Sequence, residues 1–253
     1  MSRFNAEFSR LYVVPEPASP AQGRLVATDG TVKAMVLELA RPADWSALSI
    51  VWQAIQSEWE LPAAAIAVSG TDGLQLWFSV SEPVSVLDAA DFLIALQNKY
   101  LSAIPARRIG VYPSGASAAT EAVVHARAVP AVNESTGNWS AFVSSDLASV
   151  FGEEPWLDIA PNLDQQADIL SRLKSIKLPQ FRDVLGRLVA AQRPAAPQAV
   201  SADGEPHGGD TTASPHDATR MTPQAFLMQV MNDPGIGWTD RIEAAKALLP
   251  YVR

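Results

Sequence analysis

Cysteine is absent from this chain of 253 residues, and its absence excludes disulfide bonds and thiolate-ligated metal sites. No apolar run approaches the length that spans a membrane, and the first residues contain no apolar core of a secretion signal. These absences predict a protein of the reducing cytoplasm that makes no contact with a membrane.

Basic residues are outnumbered, since 19 Lys and Arg stand against 27 Asp and Glu and the formal net charge is −8. This excess of negative charge argues against a general nucleic-acid coat, although it leaves room for a local basic groove. Hydrophobic residues make up 48% of the chain, which is ample for a core. The length allows one large domain, or one domain with an appendage.

Large apolar residues almost disappear over residues 193–220, where Pro, Ala, Gly, Ser, Thr, Asp and His dominate. Such a composition cannot offset the entropy cost of ordering, so it predicts a disordered linker that proteases cut first. We therefore expect an α/β domain over residues 1–192, a linker over 193–220 and a helical hairpin over 221–253. The hairpin opens with the N-cap pattern Thr222-Pro223, and its small size predicts docking or oligomerisation.

Alternation predicts a strand over Val32–Ala40, with the carboxylate of Glu38 on an otherwise apolar face. The plain interpretation of Glu38 is a solvated side chain at a sheet edge. Asp44 then predicts the N-cap of a helix that ends near Trp59. The tryptophans of this helix recur at helical spacing, which is typical of core packing more than of base stacking.

A hairpin over Ala65–Phe78 is predicted by two apolar strands that flank the turn SGTDG. In its second strand, Gln75 and Trp77 point away from the leucines and the phenylalanine. One polar side chain, Gln75, therefore projects from an apolar hairpin beside a turn rich in backbone N–H groups. Such a turn could cradle a phosphate, although short glycine turns are mostly structural.

Weaker patterns complete the expected elements. Ser85 and Asp88 indicate a capping box at the start of a helix, and a lone histidine such as His125 is more often packed or exposed than catalytic. The other expected strands are Leu11–Val14, Arg107–Pro113, Val123–Val129 and Ala141–Val143, and further helices are expected within residues 163–177 and 181–188.

Several catalytic motifs are missing from the chain, among them a P-loop, a dinucleotide fingerprint, a nucleophile elbow and a metalloprotease histidine pair. No Ser-His-Asp set can be nominated without a pocket. A two-metal polymerising site needs two or three carboxylates held close together, because Mg²⁺ takes hard oxygen ligands. The strand Val32–Ala40 offers Glu38 alone, since Ala40, the next residue on the same face, has no ligating atom.

Two segments, MVLELA and LPAAAIAVSGTDGLQLWFSVSEPV, resemble the catalytic core of archaeo-eukaryotic primases, most of all the primase-polymerase modules of mobile elements. The resemblance extends through RRIGVYPS and TGNWSAFVSSDL and so covers residues 30–158. It implies an α/β (α+β) fold, with a mixed sheet and flanking helices. In that family the first strand carries two acidic residues one apart, the hairpin carries a histidine that contacts nucleotide phosphates, and a later strand carries a third acid.

The chain departs from this family pattern at most functional positions. Glu38 can stand for the first acid, but Ala40 occupies the place of the second acid and Gln75 that of the histidine. Residues 108–114 contain no carboxylate for the third. We therefore expect vestigial positions at Glu38, Ala40 and Gln75, with no catalytic residue, metal or cofactor. The candidate binding residues are Ser69, Thr71, Gln75, Arg107 and Arg108.

The C-terminal sequence MTPQAFLMQVMNDPGIGWTDRIEAAKALLPYVR resembles a helical segment of phage-associated proteins, including small terminase subunits. With the primase resemblance, it favours a non-catalytic binding protein of a phage or integrated element that contacts nucleic acid or a replication or packaging partner. One alternative is a divergent metal-dependent nucleotidyltransferase that recruits Asp72 or Glu121. Another is a structural protein-interaction module. Carboxylates close to Glu38 would favour the enzyme, and a continuous basic surface through Arg107 and Arg108 would favour nucleic acid.

Overall fold

The computed structural model describes residues 2–15, 24–114 and 123–192. The chain divides into two units, Met1–Pro197 and Gln198–Arg253, and all described residues belong to the first. The predicted linker and C-terminal hairpin therefore lie outside the described residues, as does Glu121. Within the described ranges, no helix is both long enough and apolar enough to cross a membrane.

A five-stranded sheet with helices on both faces forms the described part of the chain, which confirms the predicted α/β class. The strand order is β4-β1-β3-β2-β5, and neighbouring strands pair antiparallel. In chain order the elements are α1 (Arg3–Tyr12), β1 (Thr31–Ala40), α2 (Trp45–Ser57), β2 (Ala65–Val68), β3 (Gly73–Ser85), α3 (Val86–Tyr100), a 3₁₀ turn (Ala106–Arg108), β4 (Ile109–Tyr112), β5 (Ala141–Val143), a 3₁₀ turn (Ala148–Phe151), α4 (Leu163–Ser171) and α5 (Leu178–Gln192).

Side-chain alternation along β1 and β3 divides the core into two clusters, one on each face of the sheet. Leu37 and Leu76 lie in the larger cluster with residues of α2, α3 and α5. Ala34 and Trp77 lie in the smaller cluster with residues of α1 and α4. A register shift between Val32 and Ala34 breaks the alternation. Val32 consequently joins the larger cluster, although strict alternation would place it with Ala34.

Two helix starts form as their sequences predict. The Asp44 carboxylate accepts a hydrogen bond from the Ala47 N–H at 3.1 Å, and the Ser85 hydroxyl accepts one from the Asp88 N–H at 3.0 Å. Each side chain satisfies a backbone donor that the helix leaves without an internal partner. The tryptophans of α2 and its C-terminus pack against the larger cluster, which confirms that they are core residues.

The strand predicted at Leu11–Val14 is wrong, because Leu11 and Tyr12 form the last turn of α1. The Phe4, Phe8 and Leu11 positions recur at helical spacing, and the helix closes the smaller cluster through this face. Tyr12 stacks on the ring of Phe142 at 6.0 Å between centroids. Four apolar residues in a row could not by themselves distinguish a strand from the end of a helix.

The strand predicted at Val123–Val129 is also wrong, since this segment contains only an isolated bridge between Val124 and Ser114. Ala126 and Val129 of this segment instead pack into the smaller cluster on one face of the sheet. The remaining strand predictions are confirmed, with β2 and β5 at the predicted bounds and the others altered. The second hairpin strand runs on to Ser85, and the strand expected from Arg107 begins at Ile109 after a 3₁₀ turn.

Basic side chains cap the C-terminal ends of two helices and tie them to their neighbours. Lys33, which is buried in β1, donates to the Arg10 carbonyl of α1 at 2.8 Å. Arg10 in turn donates to the carbonyls of Leu170 and Leu173 at the end of α4, at 3.1 and 3.2 Å. Cations at these ends satisfy free carbonyls and oppose the negative pole of each helix. This chain of contacts holds α1 and α4 on one face of the sheet.

The β2–β3 turn is anchored to the loop before β5 through Gly70. Its φ is +76°, and a Cβ at this position would lie 2.7 Å from the Ser140 backbone nitrogen. Its N–H donates to the Pro155 carbonyl at 3.0 Å. Glycine is required here for both backbone conformation and space. The turn can therefore hold a fixed position beside the segment that precedes β5.

Replacing Gly70 with Ala should lower the free energy of unfolding by about 2 to 3 kcal/mol, because the substitution combines a left-handed backbone with a backbone clash. Gly137 has the same backbone conformation but nothing within 4 Å of its Cβ position, so Gly137→Ala should cost only about 1 kcal/mol. Gly186 lies in open space on α5, and Gly186→Ala should stabilise by about 0.5 to 1 kcal/mol. Urea unfolding of the three variants measures this order. Equal losses at Gly70 and Gly137 would contradict the close approach to Ser140.

Candidate functional site

A cleft of about 340 Å³ opens at the end of the sheet where β1 finishes and β3 begins. Its floor is formed by β1, β3 and β4, and its walls by the β2–β3 turn and residues 124–133. Polar and charged side chains from all of these segments line it: Glu38, Arg41, Ser69, Thr71, Asp72, Gln75, Arg108, Tyr112, His125, Arg127, Asn133 and Ser140.

Glu38 and Gln75 lie opposite each other in the antiparallel pairing of β1 with β3. The two residues are therefore neighbours on one side of the sheet. Glu38 is not at the edge of the sheet, because β4 pairs with β1 on its other side and places Gly110 opposite Glu38. The interpretation of Glu38 as a solvated edge residue is therefore wrong.

Two glycines make room for the Glu38 side chain above the sheet. A Cβ on Gly73 would lie 2.6 Å from one carboxylate oxygen of Glu38, and a Cβ on Gly110 would lie 3.3 Å from the other. An alanine at Gly73 would displace the carboxylate, and the Cβ of an alanine at Gly110 would lie 2.9 Å from the Tyr112 ring. The space that the glycines leave lets the carboxylate lie low over β3 and β4, at the floor of the cleft.

Two side chains beside this carboxylate can donate hydrogen bonds to it. Gln75 lies opposite Glu38 in β3, Tyr112 lines the same cleft, and hydrogen bonding from each acts to lower the pKa of Glu38. The carbonyl oxygen of the Gln75 amide accepts a hydrogen bond from the Trp77 indole N–H at 2.8 Å, which leaves the amide NH₂ group to donate to Glu38. Gln75 is buried, with 6% of its surface exposed, so both of its polar atoms need these partners.

Burial raises the pKa of Glu38, and the negative charge of Asp72 raises it further. Hydrogen bonds from Gln75 and Tyr112 and the charge of Arg41 oppose this rise without cancelling it. Burial also raises the pKa of Tyr112, with the charge of Glu38 as the next cause. The cleft floor thus disfavours the charged form of Glu38.

Arg41, Arg108 and Arg127 line the cleft with positive charge. The Arg41 guanidinium donates to the Arg107 carbonyl at 2.7 Å, while Arg108 donates to the Ala40 and Pro42 carbonyls at 3.3 and 2.8 Å. These bonds join the loop after β1 to the start of β4. Arg127 is exposed and lies on the segment that crosses the cleft.

The structure brings most of the predicted site residues together. Ser69, Thr71, Gln75 and Arg108 line the cleft with Glu38 and Ala40, whereas Arg107 is not among its lining residues. The two arginines of the RR pair therefore do not act as one continuous basic surface in this cleft. Both arginines were candidates because both are basic. They lie next to each other in a 3₁₀ turn, in which adjacent side chains point in different directions.

The β2–β3 turn does not present its N–H groups to the cleft as a phosphate cradle. The Ser69 hydroxyl accepts hydrogen bonds from the N–H groups of Thr71 and Gly73 at 3.2 and 2.9 Å. The Ser69 N–H donates to the Gly73 carbonyl, and the Gly70 N–H to Pro155. These donors are already satisfied, so anion binding in the cleft depends on side chains.

Sequence patterns missed Arg41, Tyr112 and Arg127 as cleft residues and assigned little weight to His125. The His125 ring lies 3.1 Å from the Ala34 carbonyl through Nε2, and burial lowers its pKa. Tyr112 could have been found from β4, where it is spaced by two from Gly110. The arginines lie on irregular segments, and no periodicity there predicts where a side chain points.

A second carboxylate, Asp72, lines the cleft and acts on Glu38 electrostatically. Ala40 also lies in the cleft, at the position where the primase pattern has its second acid. Within residues 2–15, 24–114 and 123–192, no group of three or more His, Asp or Glu side chains could hold a metal ion. The described cleft therefore offers two acids and three arginines.

No protein-family model matches the chain, and no curated protein matches it. Among solved structures, the chain is similar to the polymerase domain from Mycobacterium tuberculosis ligase D in complex with DNA, at 18% sequence identity and a TM-score of 0.26. The match covers 72% of this chain and 58% of that chain. The chain thus spans less than two thirds of the length of this neighbour.

Replacing Glu38 with Gln should change how stability depends on pH. Because the folded state raises the pKa of Glu38 above its ordinary value of 4.5, the native protein retains a proton that the unfolded chain releases. The free energy of unfolding should then fall as the pH rises from 4.5 through the raised pKa of the folded state. Glu38→Gln has no carboxyl to titrate at this position, so its free energy of unfolding should fall less over the same pH range. Urea unfolding at a series of pH values measures it, and identical pH slopes in both proteins would contradict the burial of this carboxyl.

Proposed function

We propose that this chain is a primase-like, non-catalytic binding protein whose cleft binds a nucleotide-sized ligand that carries phosphate. The observation that supports this most directly is the cleft itself, in which Arg41, Arg108 and Arg127 surround a floor of Glu38 and Gln75. Its volume of about 340 Å³ is that of a small-ligand pocket. Guanidinium groups are well suited to phosphate, because they bind its oxygens with paired hydrogen bonds.

The residues on the floor argue against nucleotidyl transfer. That reaction needs metal ions that bridge the triphosphate and the attacking hydroxyl, and carboxylates must hold them. Ala40 cannot supply a ligand, Gln75 replaces the phosphate-contacting histidine of the primase pattern, and β4 carries no acid. Glu38 lies opposite Gln75, whose amide can donate to its carboxylate. Binding without chemistry fits these residues better than catalysis.

A single nucleotide fits the distribution of charge better than a long polynucleotide does. A track for a nucleic-acid backbone needs positive groups spaced along a groove. Here the three arginines converge on one cleft, and Arg107 is not among its lining residues. The formal net charge of −8 also opposes extended contact with a polyanion.

A divergent metal-dependent nucleotidyltransferase is the second candidate, and the position of Asp72 favours it. Asp72 lines the cleft and its charge raises the pKa of Glu38, so the two carboxylates act on each other. A cation between them would relieve that repulsion.

The proposed origin in a phage or integrated element rests on the sequence of the tail, and the cytoplasmic location rests on composition. A role as an interaction module would use the C-terminal residues and does not exclude ligand binding.

The proposal predicts nucleotide binding without incorporation. Calorimetry with a nucleoside triphosphate in EDTA should show binding, and Arg127→Ala should weaken it about tenfold through the loss of a charged hydrogen bond. Arg182→Ala removes an exposed arginine of α5 outside the cleft and should leave the affinity unchanged. Primer extension on a single-stranded template, with Mg²⁺ and then Mn²⁺, should show no incorporation.

Each contrary result has a distinct meaning. Incorporation that disappears in Glu38→Ala would overturn the non-catalytic function and establish the nucleotidyltransferase. Absence of nucleotide binding by the wild-type protein would overturn the ligand class. Equal losses of affinity in Arg127→Ala and Arg182→Ala would show that binding is a general charge effect and does not take place in the cleft.

A further inference from the structure

A row of polar side chains leads from the core of the sheet to the floor of the cleft. The Trp77 indole donates to Gln75, and Gln75 lies opposite Glu38 in the pairing of β3 with β1. Trp77 belongs to the smaller core cluster, and 1% of its surface is exposed. It is not among the residues that line the cleft, whereas Gln75 and Glu38 are. The row therefore connects a side chain with no access to ligand to two side chains that face it.

The chemistry of the indole determines the orientation of the Gln75 amide. An indole N–H can only donate, so the atom of Gln75 that faces it at 2.8 Å must be the carbonyl oxygen. The NH₂ group is then free to donate towards Glu38, which lies opposite Gln75 in β1. The flipped amide would set NH₂ against the indole N–H and its oxygen against a carboxylate oxygen. Both contacts would be repulsive inside a buried site.

We propose that Trp77 is a positioning residue of the cleft, which holds Gln75 as a donor to Glu38 and thereby makes Glu38 a hydrogen-bond acceptor towards the ligand. Gln75 and Tyr112 occupy part of the acceptor capacity of the carboxylate. The remaining lone pairs suit a donor on the ligand, such as an amino, imino or hydroxyl group. The phosphate then lies towards the arginines. This orientation of the ligand rests on the proposed function, but the positioning of Gln75 does not.

Other charged groups near Glu38 come from separate segments. Asp72 belongs to the β2–β3 turn, Arg41 to the loop after β1 and Tyr112 to β4. The His125 ring packs against Trp77 at 6.3 Å between centroids, so its protonation could also change the surroundings of the indole. A test of the row must therefore hold the pH constant and separate hydrogen bonding from the electric field of the cleft.

The indole N–H signals of the folded protein in ¹⁵N–¹H correlation spectra provide this test at one pH and without ligand. In Glu38→Ala, Gln75 loses its acceptor, so the hydrogen bond from Trp77 should weaken and its indole proton signal should move upfield. In Gln75→Leu the signal should move further, and adding Glu38→Ala to this variant should cause no additional shift. Asp72→Ala also removes a carboxylate from the cleft but breaks no bond of the row. Its effect on the Trp77 signal should be small.

Trp52 provides an internal reference, because its indole N–H donates to the Ala64 carbonyl at 3.0 Å and it is not a cleft residue. Its signal should stay in place in all four variants. A Trp77 signal that ignores Glu38→Ala would overturn the proposal. Equal shifts of the Trp77 signal in Glu38→Ala and Asp72→Ala would also overturn it, because they would indicate an effect of the electric field. The same would follow if adding Glu38→Ala to Gln75→Leu moved the signal as far as Glu38→Ala does alone.

Ligand affinity provides the second arm of the test. Trp77→Phe frees the Gln75 amide to turn and should weaken nucleotide binding about fivefold, the value expected for one hydrogen bond. Trp52→Phe, which removes an indole N–H elsewhere, should not weaken it. In a Gln75→Leu background, Trp77→Phe should have no further effect, and an additive loss would overturn the positioning role. If Trp77→Phe fails to fold, the indole N–H spectra of the other variants test the positioning of Gln75. If the wild-type protein binds no nucleotide, the proposed function fails while the spectra still test the positioning of Gln75.

Discussion

The antiparallel register between β1 and β3 is the constraint on which the rest of the site depends. It places Glu38 opposite Gln75 and Ala40 opposite Gly73. The first pair forms the floor of the cleft, and the second provides the space that the carboxylate occupies. Because side chains alternate along a strand, a slip of one residue would turn Glu38 into the larger apolar cluster and Leu37 into the cleft. The buried faces on both sides of the sheet therefore protect the register, and with it the site.

The chemistry of the cleft comes from a carboxyl group that neighbouring residues partly satisfy. Gly73 and Gly110 leave it room, Gln75 lies opposite it as a possible donor, and burial raises its pKa. A carboxylate in this setting differs from one that belongs to a cluster of metal-ligating side chains. It acts as one member of a fixed hydrogen-bonding surface, and the arginines around it supply the attraction for an anion. Binding and orientation of a ligand are what such a surface does well.

Catalysis and binding differ here by a small number of side chains. A nucleotidyltransferase would need Asp72 and Glu38 to act as a pair, but Asp72 lies on an exposed turn and Glu38 lies in the sheet. The turn itself is rigid, because Ser69 accepts two of its N–H groups and Gly70 packs against Ser140. This rigidity keeps the width of the cleft constant. It favours a ligand that fits the existing space over one that requires the turn to close on it.

Local patterns in the sequence were sufficient for β1, the β2–β3 hairpin, the caps of α2 and α3, and the projection of Gln75 from the hairpin. Each of these depends on alternation, helical spacing or capping over a few residues. The patterns failed at Leu11–Val14, where four apolar residues suit a strand or a helix end equally well. They could not gather Arg41, Tyr112, His125 and Arg127 into one cleft or separate Arg108 from Arg107, because these positions depend on the packing of distant segments. Local patterns were therefore enough to find the strands that carry Glu38 and Gln75. The pairing of those strands and the set of charges around them depend on contacts between segments far apart in the chain, which no local pattern encodes.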